Sequence, residues 1–319
     1  MMVFRGPGDV PAGFGPSVVA IGKFDGVHAG HRVVLERAKV DAAARGAKVV
    51  AVTFDRNPLA LLRPDRNPPE LVGVPQKLRL LAETGIDAAM VLTFDEELAV
   101  LSPRDFVVDM LVKPLGMATV LVGTDFRFGR GGAGNAELLR ELGEEFGFRV
   151  DVVDEVRAID AGRRVSSTWV RELLAAGDVE GAGKLLGRPT AVWGEVVHGL
   201  KRGRALGFPT ANLSPTLEGF APADGVYAGW LIDEAPGLRS GIRYPAAISV
   251  GTNPTFGDVV RRQVEAYVLD EADLDLYGHE VELQFVARVR GMTAFEDIEQ
   301  LKQQMSADVD QVRRVLGTA

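Results

Sequence analysis

What most constrains this chain is a change of hydrophobic pattern partway along it. From residue 17 to about residue 153, short β-branched runs alternate with amphipathic stretches; beyond about Gly187, strand-like runs follow one another with glycine and proline turns between them. The first pattern is that of a parallel sheet, because parallel strands need a long crossover and a helix is the usual one. The second reads as a small antiparallel barrel. Strands are expected at 17–21, 48–54, 88–94, 118–122 and 148–153, then at 191–197, 226–232, 246–250, 264–269 and 281–289. Helix starts are marked by Pro75 and by Ser102 before Pro103 with Asp105 in the first turn. A short helix is expected over 178–186. A last helix is expected to begin at Thr293, which forms a capping-box pair with Glu296. At roughly 150 residues per domain, 319 residues make two domains. They divide as residues 1–186, a doubly wound parallel α/β sheet, and residues 187–319, a small antiparallel β-barrel with a terminal helix.

Charge and cysteine content narrow the chemistry. Lys and Arg number 36 against 44 Asp and Glu, a net charge of -8. A duplex nucleic-acid binder carries a basic surplus instead, so no nucleic-acid partner is expected. With no cysteine in the chain, disulfides, thiolate zinc sites and cysteine nucleophiles are excluded. No charge-free run reaches the roughly 18 residues of a membrane helix, and a soluble, cytoplasmic protein is expected. Oligomeric state is not legible.

The strand at 17–21 runs into Gly22-Lys23-Phe24-Asp25-Gly26-Val27-His28-Ala29-Gly30-His31 and then into a stretch of helical composition over 32–45. A strand, a glycine-rich turn and a helix in the first βα position is where open α/β sheets bind nucleotides. Gly26 and Gly30 let backbone approach a phosphate, and a helix N-terminus favours negative charge. His28 and His31, two of only four histidines, are placed to aim donors at one polyphosphate. A metal site is the competing reading, with Asp25 the nearest carboxylate. Further on, Ser166, Ser167 and Thr168 precede Arg171. The hydroxyls are those of a helix start, and Arg171, one turn later, adds a fixed positive fork.

These pieces resemble the nucleotidylyltransferase superfamily, with its His-x-Gly-His signature and Ser-Ser-Thr-x-x-Arg segment. Within it, the turn from Gly22 to His31 and the run Gly123-x-Asp125-Phe126-Arg127-Phe128-Gly129 are similar to the FMN adenylyltransferase branch. The resemblance implies attack of an FMN phosphate on the α-phosphorus of ATP with release of pyrophosphate. It implies that His28 and His31 stabilise the transferring phosphate while Arg171, Ser166 and Thr168 hold the leaving pyrophosphate. It also assigns Gly22, Asp25, Gly26 and Gly30 to the nucleotide, and Asn57, Asp125, Phe126 and Phe128 to the flavin. One position departs from the family pattern. Where a Pro-His-Pro segment is usual, this chain has Arg56-Asn57-Pro58, and Asn57 carries no charge.

In the second half, Lys201, Arg202 and Arg204 lie among glycines, a pattern that suits either an anion-binding loop or a solvated one. Thr210 and Asn212, two apart on an extended segment, face one side. Their hard oxygens suit Mg2+ carried by a nucleotide. Gly207-Phe208-Pro209-Thr210-Ala211-Asn212 resembles the Pro-Thr-Ala-Asn motif of riboflavin kinases. The segments 224–229, 249–257, 264–268 and 276–279 follow that family's order. The resemblance implies that Lys201 and Arg204 meet phosphate, that Thr210 and Asn212 hold the metal, and that Glu265 takes the proton from the ribityl hydroxyl of riboflavin. An ion pair of Glu265 with Arg262 or Arg288 is the plainer alternative.

Both resemblances together are those of the bifunctional prokaryotic FAD synthetases, which implies riboflavin, FMN and FAD as substrates or products and ATP with Mg2+. Two rivals are weighed. A class I aminoacyl-tRNA synthetase-like enzyme would need a Lys-Met-Ser-Lys-Ser loop, which is absent. A riboflavin kinase or flavin-binding sensor, with Asn57 marking an impaired first site, would bind flavin without making FAD.

Overall fold

Six parallel strands, β1 (Met2–Phe4), β2 (Ser17–Ile21), β3 (Lys48–Phe54), β4 (Ala88–Leu92), β5 (Met117–Gly123) and β6 (Arg149–Val153), lie side by side in the order β1-β4-β3-β2-β5-β6. The chain winds outward from β2 through β3 to β4, then returns to pair β5 on the other flank of β2. The C-terminal end of β2 is therefore the point where the winding reverses, the usual ligand position in such sheets. The computed structural model describes residues 1–158, 162–199, 207–234, 241–252, 262–271 and 274–318.

Both sheet faces are buried, which is why these strands read as apolar runs rather than alternating ones. Val19, Ile21, Val50, Val52, Met90 and Val120 pack on one face against Phe106 of α5 (Pro103–Val107) and Leu139 of α7 (Ala136–Phe146). Val18, Ala20, Val49, Ala51 and Ala89 pack on the other against Leu35 and Ala38 of α1 (Ala29–Arg45) and Leu80 and Leu81 of α3 (Val74–Ala82). Shorter pieces complete this unit: α2 (Leu59–Leu62), α4 (Glu96–Val100), and a π turn from α5 into α6 (Lys113–Leu115). The expected starts at Pro75 and Ser102 are found. Ser102 Oγ accepts the Asp105 N–H at 3.1 Å.

The second unit is built on a closed barrel in the order β10-β11-β8-β7-β12-β9. Its strands, all paired antiparallel, are β7 (Thr190–Val197), β8 (Thr210–Leu213), β9 (Gly225–Asp233), β10 (Arg243–Gly251), β11 (Gln263–Val268) and β12 (Glu280–Arg290). Val192, Tyr227, Leu231, Ile248, Leu283 and Phe285 are fully buried, and the Tyr227 and Phe285 rings meet edge-on at 5.4 Å. α8 (Ser167–Ala176), α9 (Val179–Leu186) and a terminal helix, α10 (Ile298–Leu316), pack with the barrel. Val312 of α10 closes over Ala228 and Leu269, with Ala247 and Tyr267 beside them.

Four expectations differ. The first helix begins at Ala29, three residues earlier than its composition suggests, because His28 caps it. The last helix begins at Ile298 rather than near Thr293: Asp297 Oδ1 accepts the Gln300 N–H at 2.8 Å, so an Asp-x-x-Gln pair supplies the cap that Thr293 and Glu296 were expected to form. The edge strand β1 is too short to leave a periodic signal. Finally, the compact units divide between Ser166 and Ser167, not at residue 186. The Ala223 N–H donates to Leu174 O at 2.8 Å and Arg288 donates to Ala176 O at 3.1 Å, which fastens α8 to the barrel.

Asp308, 5 % exposed, holds α10 to the barrel by accepting from Arg290 Nη2 at 2.8 Å, and within the helix it accepts from Gln304 Nε2 at 2.8 Å. Removing one partner of a buried pair strands the other charge. Asp308→Ala is expected to lower stability by about 3 kcal/mol, read from the urea midpoint of the second unit.

Candidate functional site

The turn after β2 is built around backbone that most residues avoid. Phe24 has φ 47°, Val27 φ 41° and Gly26 φ 82°. A β-branched residue in the left-handed region is a true outlier, worth roughly 1–3 kcal/mol of strain. Phe24 and Val27 are buried in the helix-covered core, and that packing holds the strained turn in place.

His28 ends the turn as the N-cap of α1, its Nδ1 accepting the His31 N–H at 3.4 Å. With Nδ1 an acceptor, a neutral ring carries its proton on Nε2. The two imidazoles stack, centroids 3.7 Å apart and 16° from parallel. Gly30 makes the stack possible, since a Cβ there would stand 3.1 Å from His28 Cε1 and Nδ1. His31 is held well below the ordinary imidazole range by burial first, then by the positive potential of His28, Lys77 and Arg164. It is therefore neutral at pH 7. Among the described residues its enclosed Nδ1 has no hydrogen-bond partner.

Other sequence-selected residues have more local duties. Asp25 Oδ1 accepts the Leu71 N–H at 2.9 Å, and Gly22 N donates to Val52 O at 3.1 Å. Asn57 Oδ1 accepts the Leu59 N–H at 3.1 Å, an Asx-type start to α2. Arg56 lies against Asp55, 3.6 Å away. Asp125 Oδ2 accepts from Arg164 at 3.0 Å, and that guanidinium holds its carboxyl below the usual range. Phe126 is half-buried and stacks at 5.4 Å on Phe128, which is itself core. Phe128 thus backs Phe126 rather than offering a face of its own. Ser166 closes the first unit, while Thr168 and Arg171 lie one turn apart on α8 of the second.

Lys77, Arg164 and Glu70 were not singled out from the sequence. Lys77 shares a helix face with Leu80 and Leu81, three and four residues on, and a lysine at such an apolar position is the available signal.

On the outer face of the barrel, Glu265 of β11 lies opposite Asn212 of β8, with Tyr267 opposite Thr210. Thr210 Oγ1 donates to Glu265 Oε2 at 3.3 Å, and Asn212 Nδ2 reaches Thr210 O at 3.2 Å. Burial pushes the Glu265 carboxyl up, against a smaller opposing pull from Thr210. The ion-pair alternative for Glu265 is not what the fold contains. Arg262 turns to Asp224 at 2.7 Å and to the Pro222 carbonyl, and Arg288 to the carbonyls of Ala176 and Asp224. Gly199 passes so near Asn212 that a Cβ would overlap its amide. A cleft beside this group is lined by Thr210, Asn212, Leu276 and Tyr277. The Tyr277 ring is backed by His198 at 3.9 Å. Lys201, Arg204 and residues 253–257 lie outside the described residues.

Each unit thus carries its own cluster of polar side chains, one at the switch point of a parallel sheet and one on a barrel wall, the arrangement of a chain with two separate sites. A model of the FAD synthetase family matches residues 12–169 and one of the riboflavin kinase family matches residues 186–316. The bifunctional riboflavin kinase/FMN adenylyltransferase of Escherichia coli (strain K12) is 38% identical over 302 residues, covering 94% of this chain and 93% of its own. That of Listeria monocytogenes is 34% identical, covering 93% of this chain and 91% of its own. A Streptococcus pneumoniae crystal structure, described as a macrolide-efflux protein, is 31% identical with a TM-score of 0.84 and covers 98% of both chains. The chain belongs to the bifunctional riboflavin kinase/FMN adenylyltransferase family. Among the described residues no helix is long and apolar enough to cross a membrane.

Proposed function

We propose that the barrel transfers the γ-phosphoryl group of ATP to the terminal ribityl hydroxyl of riboflavin, giving FMN and ADP, and that the sheet domain then joins FMN to the AMP moiety of a second ATP, giving FAD and pyrophosphate. The observation that carries this reading is the pairing of Glu265 with Thr210 and Asn212 on one wall, in the chain that also stacks His28 on His31.

In the first step the ribityl oxygen attacks the γ-phosphorus, the bond to the β-phosphate oxygen breaks, and Glu265 takes the hydroxyl proton. Burial supports that role by raising the carboxyl toward neutral pH. The hydroxyl of Thr210 and the amide oxygen of Asn212 are hard donors that fit Mg2+, which when bound neutralises phosphate charge. Lys201 and Arg204 are assigned to the ATP phosphates, and the cleft along Tyr277 to the nucleotide.

In the second step an FMN phosphate oxygen attacks the α-phosphorus and pyrophosphate leaves. The work is positioning and charge stabilisation. His28 and His31 meet the α-phosphate, the turn of Gly22, Asp25, Gly26 and Gly30 receives the nucleotide, and Ser166, Thr168 and Arg171 hold pyrophosphate. Asn57, Asp125 and Phe126, backed by Phe128, face the flavin. This assigns adenylyl transfer to residues 1–186, although α8 and α9 pack as part of the second unit.

Riboflavin, ATP and Mg2+ incubated with the purified chain should give FMN first and FAD after it by chromatography. FMN accumulating without FAD would leave the barrel as the only working site and point to Asn57. Gly30→Ala tests the stack: the added Cβ must push the His28 ring aside, and FAD formation from FMN is expected to fall about tenfold with FMN formation unchanged. An unchanged FAD rate would show that the stacked geometry is not needed.

A further inference from the structure

Asp233, the last residue of β9, is fully buried, which a carboxyl group tolerates only where donors reach it. His279 supplies one: its Nδ1 lies 3.2 Å from Oδ1 and 3.1 Å from Oδ2 of Asp233. A carboxylate only accepts, so Nδ1 is the donor and the pair sets the tautomer of the ring. His279 itself lies in no strand. It closes the turn over 276–279 that leads into β12, its N–H donating to Leu276 O at 2.9 Å. The end of β7 holds this turn by backbone alone: the Gly278 N–H donates to Val196 O and the Val196 N–H to His279 O, each at 2.9 Å. Because β12 runs between β7 and β9 in the barrel, the His279–Asp233 contact ties the turn from the opposite flank.

The turn so held forms part of a cleft wall. Leu276 and Tyr277 line the cleft together with Val196 at the end of β7 and with Thr210 and Asn212 of β8. Leu276 is buried, but Tyr277 is 39 % exposed, and the contact its ring makes is with His198 at 3.9 Å. An exposed ring on a turn takes its place from the backbone beneath it more than from packing, and that backbone is fastened two residues on to a buried carboxyl group. We propose that His279 is a positioning residue of the phosphoryl-transfer site: anchored on Asp233, it fixes the 276–279 turn so that Leu276 and Tyr277 stand against ATP in the cleft. The proposal rests on the assignment of that cleft to the nucleotide. With the imidazole removed, the turn keeps its bonds to β7 and loses the side-chain tie to β9, so the wall is free to swing about Val196 while Thr210, Asn212 and Glu265 stay on their strands.

The test is the steady-state rate of FMN formation by the full chain, with ATP and riboflavin varied in turn. His279→Ala is expected to raise KM for ATP about tenfold, to change kcat less, and to leave KM for riboflavin where it was, because what is lost is the placement of a nucleotide wall rather than the chemistry. His279→Asn carries an amide nitrogen one bond from Cγ, where Nδ1 stood, and is expected to bring KM for ATP back to near the parent value. His279→Gln carries its amide one bond further out and is expected to behave like His279→Ala. If His279→Ala does not fold, the contrast between the Asn and Gln variants decides. A parental KM for ATP in His279→Ala, with or without a lower melting temperature, overturns the proposal, as do equal KM values for ATP in the Asn and Gln variants. Tyr277→Ala examines the underlying reading by itself. A KM for ATP unmoved there would take the nucleotide out of this cleft, whereas a KM raised in Tyr277→Ala and parental in His279→Ala would keep the cleft for ATP and remove only the positioning role.

Discussion

Glu265→Gln is expected to reduce FMN formation from riboflavin and ATP by roughly 10²- to 10⁴-fold, the range for loss of a general base, while FMN supplied from outside is still converted to FAD. The amide keeps the size of the side chain and can still bond Thr210, so barrel geometry is retained and only the proton acceptor is lost. Two further readouts separate this role from a structural one. Because burial raises the Glu265 carboxyl, the kinase rate should fall with decreasing pH at a higher value than an ordinary glutamate would give. The same shift has a sign in stability. The unfolded chain releases this proton at lower pH than the folded chain, so the folded state loses stability as pH rises from the ordinary carboxylate range to the raised folded value. Above the raised folded value that cost is present in full, and there Glu265→Gln is expected to melt no lower than the parent. A variant that kept kinase activity, or lost it together with thermal stability, would assign Glu265 to the barrel's structure instead.

Glu265 was legible as a charge in an otherwise apolar strand, and its role as a base came only from the resemblance of that segment to riboflavin kinases. In the barrel, Val264, Ala266 and Val268 are buried and Glu265 lies on the alternate face. What sequence did not show is where Arg262 and Arg288 go. Both close the 221–224 segment, and Arg288 also caps α8. Cross-chain bonds of this kind leave no periodic trace, which is why residue 186, a point of changing composition, looked like the boundary while the contacts break at Ser166. The same limit hid Lys77, whose three carboxylates come from separate segments. Strand positions, by contrast, were readable to within a few residues for β2 through β6, since both faces of the sheet are apolar. The histidine turn was readable as a junction from strand to helix. Its use of His28 as a helix cap was not, because imidazole is outside the usual set of capping side chains.

That double duty makes His28 the position where a structural and a chemical role can be separated by substitution. His28→Ala removes both the cap and the imidazole: stability should fall by about 1 kcal/mol and FAD formation by roughly 10²- to 10³-fold, the loss seen when one donor to a developing oxyanion is deleted. His28→Asn restores the cap alone. Its Oδ1 can take the place of Nδ1 in accepting the His31 N–H, and Asn is among the best N-caps, but nothing in the shorter side chain reaches where Nε2 stood. Stability is therefore expected to return while FAD formation stays as low as in His28→Ala, with FMN formation by the barrel equal to the parent in both. Denaturant melts and parallel rates on riboflavin and on FMN measure all four quantities. Recovery of FAD formation in His28→Asn would mean that His28 serves only to start α1, and the phosphate would then have to be met by His31 and backbone N–H groups of the turn.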